Sequence, residues 1–258
     1  MFPPFRVIAA VIAIGALTAC GSNNSRSGSP TSAPAPDAKR VDSATASTIT
    51  GKVVLEGAPP APAMIKMGSD PTCEQANKNG LKSETFVADN SGLENVFVYI
   101  KDGLGNKYIF DTPTDAVKLD QNGCHYVPHV LGVRMGQPLE IVNSDNTMHN
   151  VHGMPQTNRE FNFGQPIPGL KQDVTFTTPE VLIPFKCDVH SWMNAYIGVV
   201  DHPYFAVTAD GGRFQLKAIP PGTYTIEAVH EKLGRQTQSV TLGEKDSKDI
   251  TFSFKAPA

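Results

Sequence analysis

Between Ile183 and Val199 the chain carries two strand-like runs on either side of a loop rich in metal-donor side chains. Ile183, Phe185 and Cys187 alternate with Pro184 and Lys186, the period of a strand with one buried face. That period brings the Cys187 sulfur inward at the strand's end. His190 and Met193 follow at steps of three, in a loop that folds back toward the same point. Ala195, Ile197 and Val199 then start another strand. Soft sulfur with imidazole is a copper donor set, and two His, one Cys and a weak axial Met define the blue-copper electron-transfer site. This stretch lacks one His.

The segment Gly136–Asn143 reads as a strand leading into the polar loop Asn143-Ser144-Asp145-Asn146-Thr147-Met148, and His149-Asn150-Val151-His152 follow. Here the chain resembles the cupredoxins, the plastocyanin-like family. That family takes its first ligand from His-Asn-Val and the others from a Cys-x-x-His-(x)n-Met loop. The resemblance implies one copper ion per chain, held by His149, Cys187, His190 and Met193. It makes Asn150 the residue that ties the two ligand segments together by hydrogen bonds. It also implies that His190 is the ligand nearest solvent, with Trp192 beside it as a partner contact. Plastocyanin has four residues between its last His and its Met, whereas this chain has two. His-x-x-Met is similar to the binuclear copper site of respiratory oxidases, but that site needs a second Cys where Ile183 stands. The expectation is a mononuclear centre. Zinc, or no metal at all, is the competing reading, although structural zinc is more often closed by N, S or O donors than by a thioether.

At the other end, Val7–Ala19 is a largely apolar run of 13 residues, short for a bilayer span and suited to an export signal. It ends in Leu17-Thr18-Ala19-Cys20, which resembles a bacterial lipobox, with Cys20 lipidated and residues 1–19 removed. An ordinary signal peptide or a short anchor is the alternative. Gly21 follows rather than Asp, so the inner-membrane retention signal is absent. The implied location is the cell envelope, anchored by lipid and facing the periplasm, on the outer membrane if the source is Gram-negative. Residues 21–47 are rich in Ser, Pro, Ala and Asn without apolar period, and are expected to form a disordered tether reaching about 30 Å. With Cys20 on lipid and Cys187 on metal, Cys73 and Cys124 remain, and export predicts that they pair as a disulfide. A second metal site around Cys124-His125-Tyr126-Val127-Pro128-His129 is the alternative.

Aromatic and β-branched residues broken up by 22 Gly and 21 Pro point to an all-β fold. Formal charge is −3, and −4 once the leader takes Arg6 with it. No basic run exceeds two residues, so nucleic acid is not an expected partner. Ile49, Gly51, Val53 and Leu55 form one alternating run, and residues 95–100, apolar on both faces, read as a central strand. The tail, with Asp210-Gly211 and Pro220-Pro221-Gly222-Thr223-Tyr224, resembles the carboxypeptidase regulatory-like domain, a transthyretin-like β-sandwich. That resemblance splits it over 48–112 and 204–258, with a Greek-key cupredoxin sandwich over 113–203 inserted between. A tandem of β units is the alternative.

His152 lies three residues after His149, so on a strand the two face opposite ways and only one can reach the metal. His129, His202 and His230 read as structural or surface residues. The expected function is one-electron transfer to an unidentified redox partner near the membrane, not catalysis. Two other classes stay open. A copper store or delivery protein would use Met148, Met154 and Met193. A copper enzyme would need a second metal drawn from His125, His129, His152 and His202.

Overall fold

The computed structural model describes residues 34–257, and strands dominate them. The chain runs β1 (Ser47–Glu56), α1 (Pro71–Ala76), β2 (Ala88–Asp89), β3 (Gly92–Leu93), β4 (Phe97–Asp102) and β5 (Val117–Gln121). Next come β6 (Tyr126–Val127), β7 (Val130–Arg134), β8 (Leu139–Asn143), β9 (His149–Gly153), β10 (Phe161–Gln165) and β11 (Lys171–Val174). The last third holds β12 (Glu180–Lys186), β13 (Asn194–Val200), β14 (Phe205–Val207), β15 (Arg213–Ile219), β16 (Gly222–His230), β17 (Gly234–Leu242) and β18 (Ser247–Lys255). The fold is all-β, and among the described residues no helix is long and apolar enough to cross a membrane.

Four sheets are stacked, with apolar cores between them. The first, β15-β1-β3-β2 with β18 parallel to β1, draws its strands from both ends of the chain, as does the second, β14-β4-β16-β17. Between them lie Ile49, Val53, Leu93, Val98, Ile226, Phe252 and Phe254. The third sheet, β10-β9-β12-β13-β7, and the fourth, β11-β8-β5-β6, use strands from the middle of the chain. Leu119, Ile141, Val151, Phe185, Cys187, Met193 and Ile197 fill their core. β4 lies inside its sheet and carries apolar residues on both faces because both are covered. Val98 and Ile100 enter the first core, while Phe97 and Tyr99 meet Val130, Val200 and Val229 between the second and third sheets. Gly132 and Gly198, paired across β7 and β13, give the Phe97 ring a flat seat. A Cβ on Gly198 would fall 2.5 Å from that ring.

Two stretches lie differently from what the expected boundaries imply. The tether was expected to run unbound to Ser47, but residues 35–40 lie along 106–111. Ala35 N–H donates to the Asn106 carbonyl at 2.9 Å, Lys39 bridges Tyr108, and Arg40 pairs with Asp111. These are backbone and charge contacts, which an apolar period cannot reveal. Cys20 and the leader lie outside the described residues. The stretch between β1 and β2, counted with the split sandwich, leaves it and covers one end of the other. Its Met64–Lys82 bridge closes a loop, and Met67 and Cys73 pack with Cys124, Ile65, Leu81 and Trp192. The Asp70 side chain caps α1 by accepting the Thr72 and Cys73 N–H groups, and Pro71 suits the first helical position.

Candidate metal centre

The covered end is where β9 begins and β12 ends. Antiparallel pairing sets Lys186 opposite His152, and β13 starts again at Asn194. His149, Cys187, the loop residue His190 and Met193 therefore meet at one end of one sheet. His149 and Met193 are 0% exposed, Cys187 1% and His190 2%. One ligand atom each from His149, Cys187 and His190 lies within 4.8 Å of the others. Met193 shares the apolar cluster of Cys187. Its carbonyl accepts the Cys187 N–H at 3.2 Å and its N–H donates to the His190 carbonyl at 2.9 Å, which fixes the turn.

Hydrogen bonds orient both rings. His149 Nε2 lies 2.8 Å from Asp145 Oδ2, and His190 Nε2 lies 2.9 Å from Asp70 Oδ2. Ionised carboxylates only accept, so each Nε2 carries a proton and each Nδ1 is the ring atom left to face a metal ion or a second proton. Those two Nδ1 atoms lie 3.0 Å apart. Two lone pairs at that distance repel unless a shared proton or metal ion sits against them. Cys187 Sγ lies 3.9 Å from His190 Nδ1 and accepts the N–H of His190 at 3.3 Å and of Asn150 at 3.4 Å. Two imidazole nitrogens and a buried sulfur thus converge, a donor set that fits copper.

The electrostatics favour charge on these atoms. Burial opposes the Cys187 thiolate, but hydrogen bonds from the His149 ring and from backbone N–H groups bring its pKa below the ordinary thiol value. Burial likewise opposes a charged His149, yet Asp145 and the Cys187 sulfur raise its pKa to about 9. Asp70 is held at about 2, since bonds from Thr147, His190, Cys73 and Thr72 overcome its burial.

Asn150 joins the two segments, its side-chain carbonyl accepting the Asp188 N–H at 3.1 Å while its amide reaches Asn162 and Phe163. Tyr126, given no role in the sequence reading, also braces them, its hydroxyl lying 2.9 Å from the Asn150 carbonyl and 3.2 Å from that of Lys186. Cys73 and Cys124 are joined by a disulfide, as expected. His190, expected to be the ligand nearest solvent, is the most exposed of the four but only 2% so, because the segment carrying Asp70 and Cys73 lies over its outer nitrogen. Trp192 is half-buried, its ring 4.9 Å from that of His190 and its Nε1–H donating to the Cys124 carbonyl.

The remaining histidines are engaged elsewhere. His152 points away between Asp188 and Glu160, and His129 pairs with Glu231. His202 donates to the Ile100 carbonyl, and His125 lies against the Gly123 carbonyl. His230 is buried against Phe86, not a surface residue.

No family model matches the chain, and no curated protein matches it. Among solved structures it is similar to a Cu-containing nitrite reductase from Thermus scotoductus, at 23% identity over 36% of this chain with TM-score 0.28. The match spans only 23% of the nitrite reductase chain. A purple cupredoxin from Nitrosopumilus maritimus matches at 20% identity over 33% of this chain and 99% of its own, with TM-score 0.28. A Cu(I) form of an amicyanin mutant matches at 21% identity over 40% and 97%, with TM-score 0.29.

Proposed function

We propose that this chain is a one-electron carrier of the cell envelope, with a single copper ion held by His149, His190, Cys187 and Met193. The observation that carries the reading is the pair of Nδ1 atoms 3.0 Å apart beside the Cys187 sulfur, with both Nε2 atoms committed to carboxylates. Copper, bound there, would supply the single-electron change between Cu(I) and Cu(II). The chain's part is to hold both rings and the sulfur fixed and to exclude water from them. Among the described residues, burial of all four side chains leaves no open face for a substrate, which favours a carrier over a catalyst.

The disulfide suits an oxidising compartment and so an exported protein. Lipidation at Cys20 would keep the protein at the membrane, near its redox partner. An electron passing through the His190 ring would cross the Asp70 segment or Trp192 to reach that partner. The deciding experiment is metal analysis with visible and EPR spectra of the copper-loaded, oxidised protein. One copper per chain and an intense sulfur-to-copper band are expected. Two or more coppers point to an enzyme, and one copper without the band to a store or delivery protein.

A further inference from the structure

Behind the two histidines, on the side away from Cys187, the chain repeats one arrangement twice. Asp145 Oδ2 accepts the N–H of Cys124 at 2.7 Å and also faces His149 Nε2 at 2.8 Å. Asp70 Oδ1 accepts the N–H of Cys73 at 3.2 Å, while its Oδ2 faces His190 Nε2 at 2.9 Å. Each carboxylate thus bonds at once to one half-cystine and to one candidate ligand ring. The Cys73–Cys124 disulfide joins the two halves across 51 residues, and Cys73 Sγ itself lies 3.8 Å from His190 Nε2. Thr147 Oγ1 donates to Asp70 Oδ2 at 2.8 Å, tying the Asp70 arm to the loop that holds Asp145.

We propose that the Cys73–Cys124 disulfide is a positioning element of the metal centre, fixing Asp70 and Asp145 so that they orient His190 and His149 from behind. Without the cross-link, Asp70 rides on an excursion of the first sandwich. Little else fixes that excursion here: the Thr147 bond, the Asn77 side chain on the Gly123 carbonyl at 2.9 Å, and a small apolar cluster of which the disulfide is itself the centre. With it, both carboxylates are locked to one covalent bracket. A carboxylate behind a ligand imidazole sets its tautomer and raises its basicity toward a metal, and loss of such a partner weakens metal binding about 10–100-fold. The copper part of the proposal rests on the function proposed above, whereas the orientation of the rings is readable without metal.

The test is nitrogen-15 NMR of the histidine rings in the metal-free protein, followed by copper titration. Asp70→Asn should shift chiefly the His190 ring nitrogens, and Asp145→Asn chiefly those of His149. The joint variant Cys73→Ser with Cys124→Ser should shift both rings and weaken copper binding about 10–100-fold, with strand content by circular dichroism unchanged. Should the serine variant fail to fold, the metal-free natural protein treated with dithiothreitol gives the ring shifts, which alone decide there because dithiothreitol itself binds copper. If breaking the cross-link leaves both rings where they were, the disulfide positions neither carboxylate and the proposal falls. If the rings shift as expected but the natural protein binds no copper at Cys187, the carrier reading fails while the bracket stands.

Discussion

The N–H of Asn150 lies 3.4 Å from the sulfur of Cys187, and the Asn150 side chain accepts the N–H of the next residue, Asp188. One residue on β9 therefore holds the end of β12 through both its backbone and its side chain. Together with the His190 N–H, the Asn150 N–H loads the sulfur with two donors, which stabilise the thiolate against burial. The backbone donor survives truncation, but the link to Asp188 does not.

Asn150→Ala should therefore keep a metal-binding thiolate while loosening the Cys187 loop. The expected loss is about 0.5–1.5 kcal/mol in stability, the net worth of a bond whose exposed Asp188 N–H can turn to water, and about tenfold or more in copper affinity. Urea unfolding of the metal-free protein and a copper titration measure the two. An unchanged affinity would show that Asn150 does not organise the centre.

Met193 is buried beside Cys187 and bonded through its backbone to both Cys187 and His190. A weak axial thioether tunes potential more than it holds metal. Met193→Leu should keep copper and most of the colour while raising the reduction potential, since losing the thioether disfavours Cu(II). Met193→Gln should lower it, because an oxygen donor favours Cu(II). Voltammetry and EPR decide, and two variants with natural values would make Met193 a core residue only. His202 cannot substitute, since its two ring nitrogens are taken by the Ile100 carbonyl and the Tyr204 N–H.

What was legible in the sequence was what local period carries. Strand parity turns His149 inward and His152 outward, and the apolar residues on both faces of β4 foretell its cover on both sides. The carboxylates behind the rings were not legible. Asp70 lies 120 positions before His190, and the contact exists only because the excursion between β1 and β2 crosses to the other sandwich. Asp145 was in view within the Asn-rich loop, but no spacing rule says that its side chain meets the ring four residues on. The burial of His190 was missed for the same reason, since nothing in its own loop predicts a cover from elsewhere.

The Phe97 seat makes a prediction about the joint between the sandwiches. A methyl group on Gly198 would need the buried Phe97 ring to move, and Phe205 and Tyr99 already pack on that ring. Gly198→Ala should cost about 1–3 kcal/mol by overpacking. Gly198→Ala combined with Phe97→Leu should recover part of that loss. Denaturant unfolding of both single variants and the double variant closes the cycle. Additive losses would mean that the strain lies elsewhere.

His202, bonded to Ile100 and Tyr204 rather than to any candidate ligand, gives the chain an acid-sensitive point. Its Nε2–H donates to the Ile100 carbonyl at 2.8 Å, and its Nδ1 accepts the Tyr204 N–H at 3.2 Å. A second ring proton would face that N–H, donor against donor, in a buried site. Burial is the main cause that lowers the pKa to about 4. Asp201 and the Ile100 carbonyl pull it up, and Arg134 pushes it further down. The unfolded chain, with a pKa near 6.5, takes up the proton first. This residue's contribution is therefore complete above about pH 6.5 and is lost as pH falls toward 4, amounting to about 2 kcal/mol at pH 5. His202→Gln keeps a donor for Ile100 but cannot titrate. It should be less stable than the natural protein at pH 7.5, yet lose about 2 kcal/mol less between pH 7.5 and pH 5. Urea unfolding of both metal-free proteins at the two pH values measures this, and His230, whose pKa burial also lowers, contributes equally to both. Equal losses in the two proteins would mean that His202 is not held neutral in the fold.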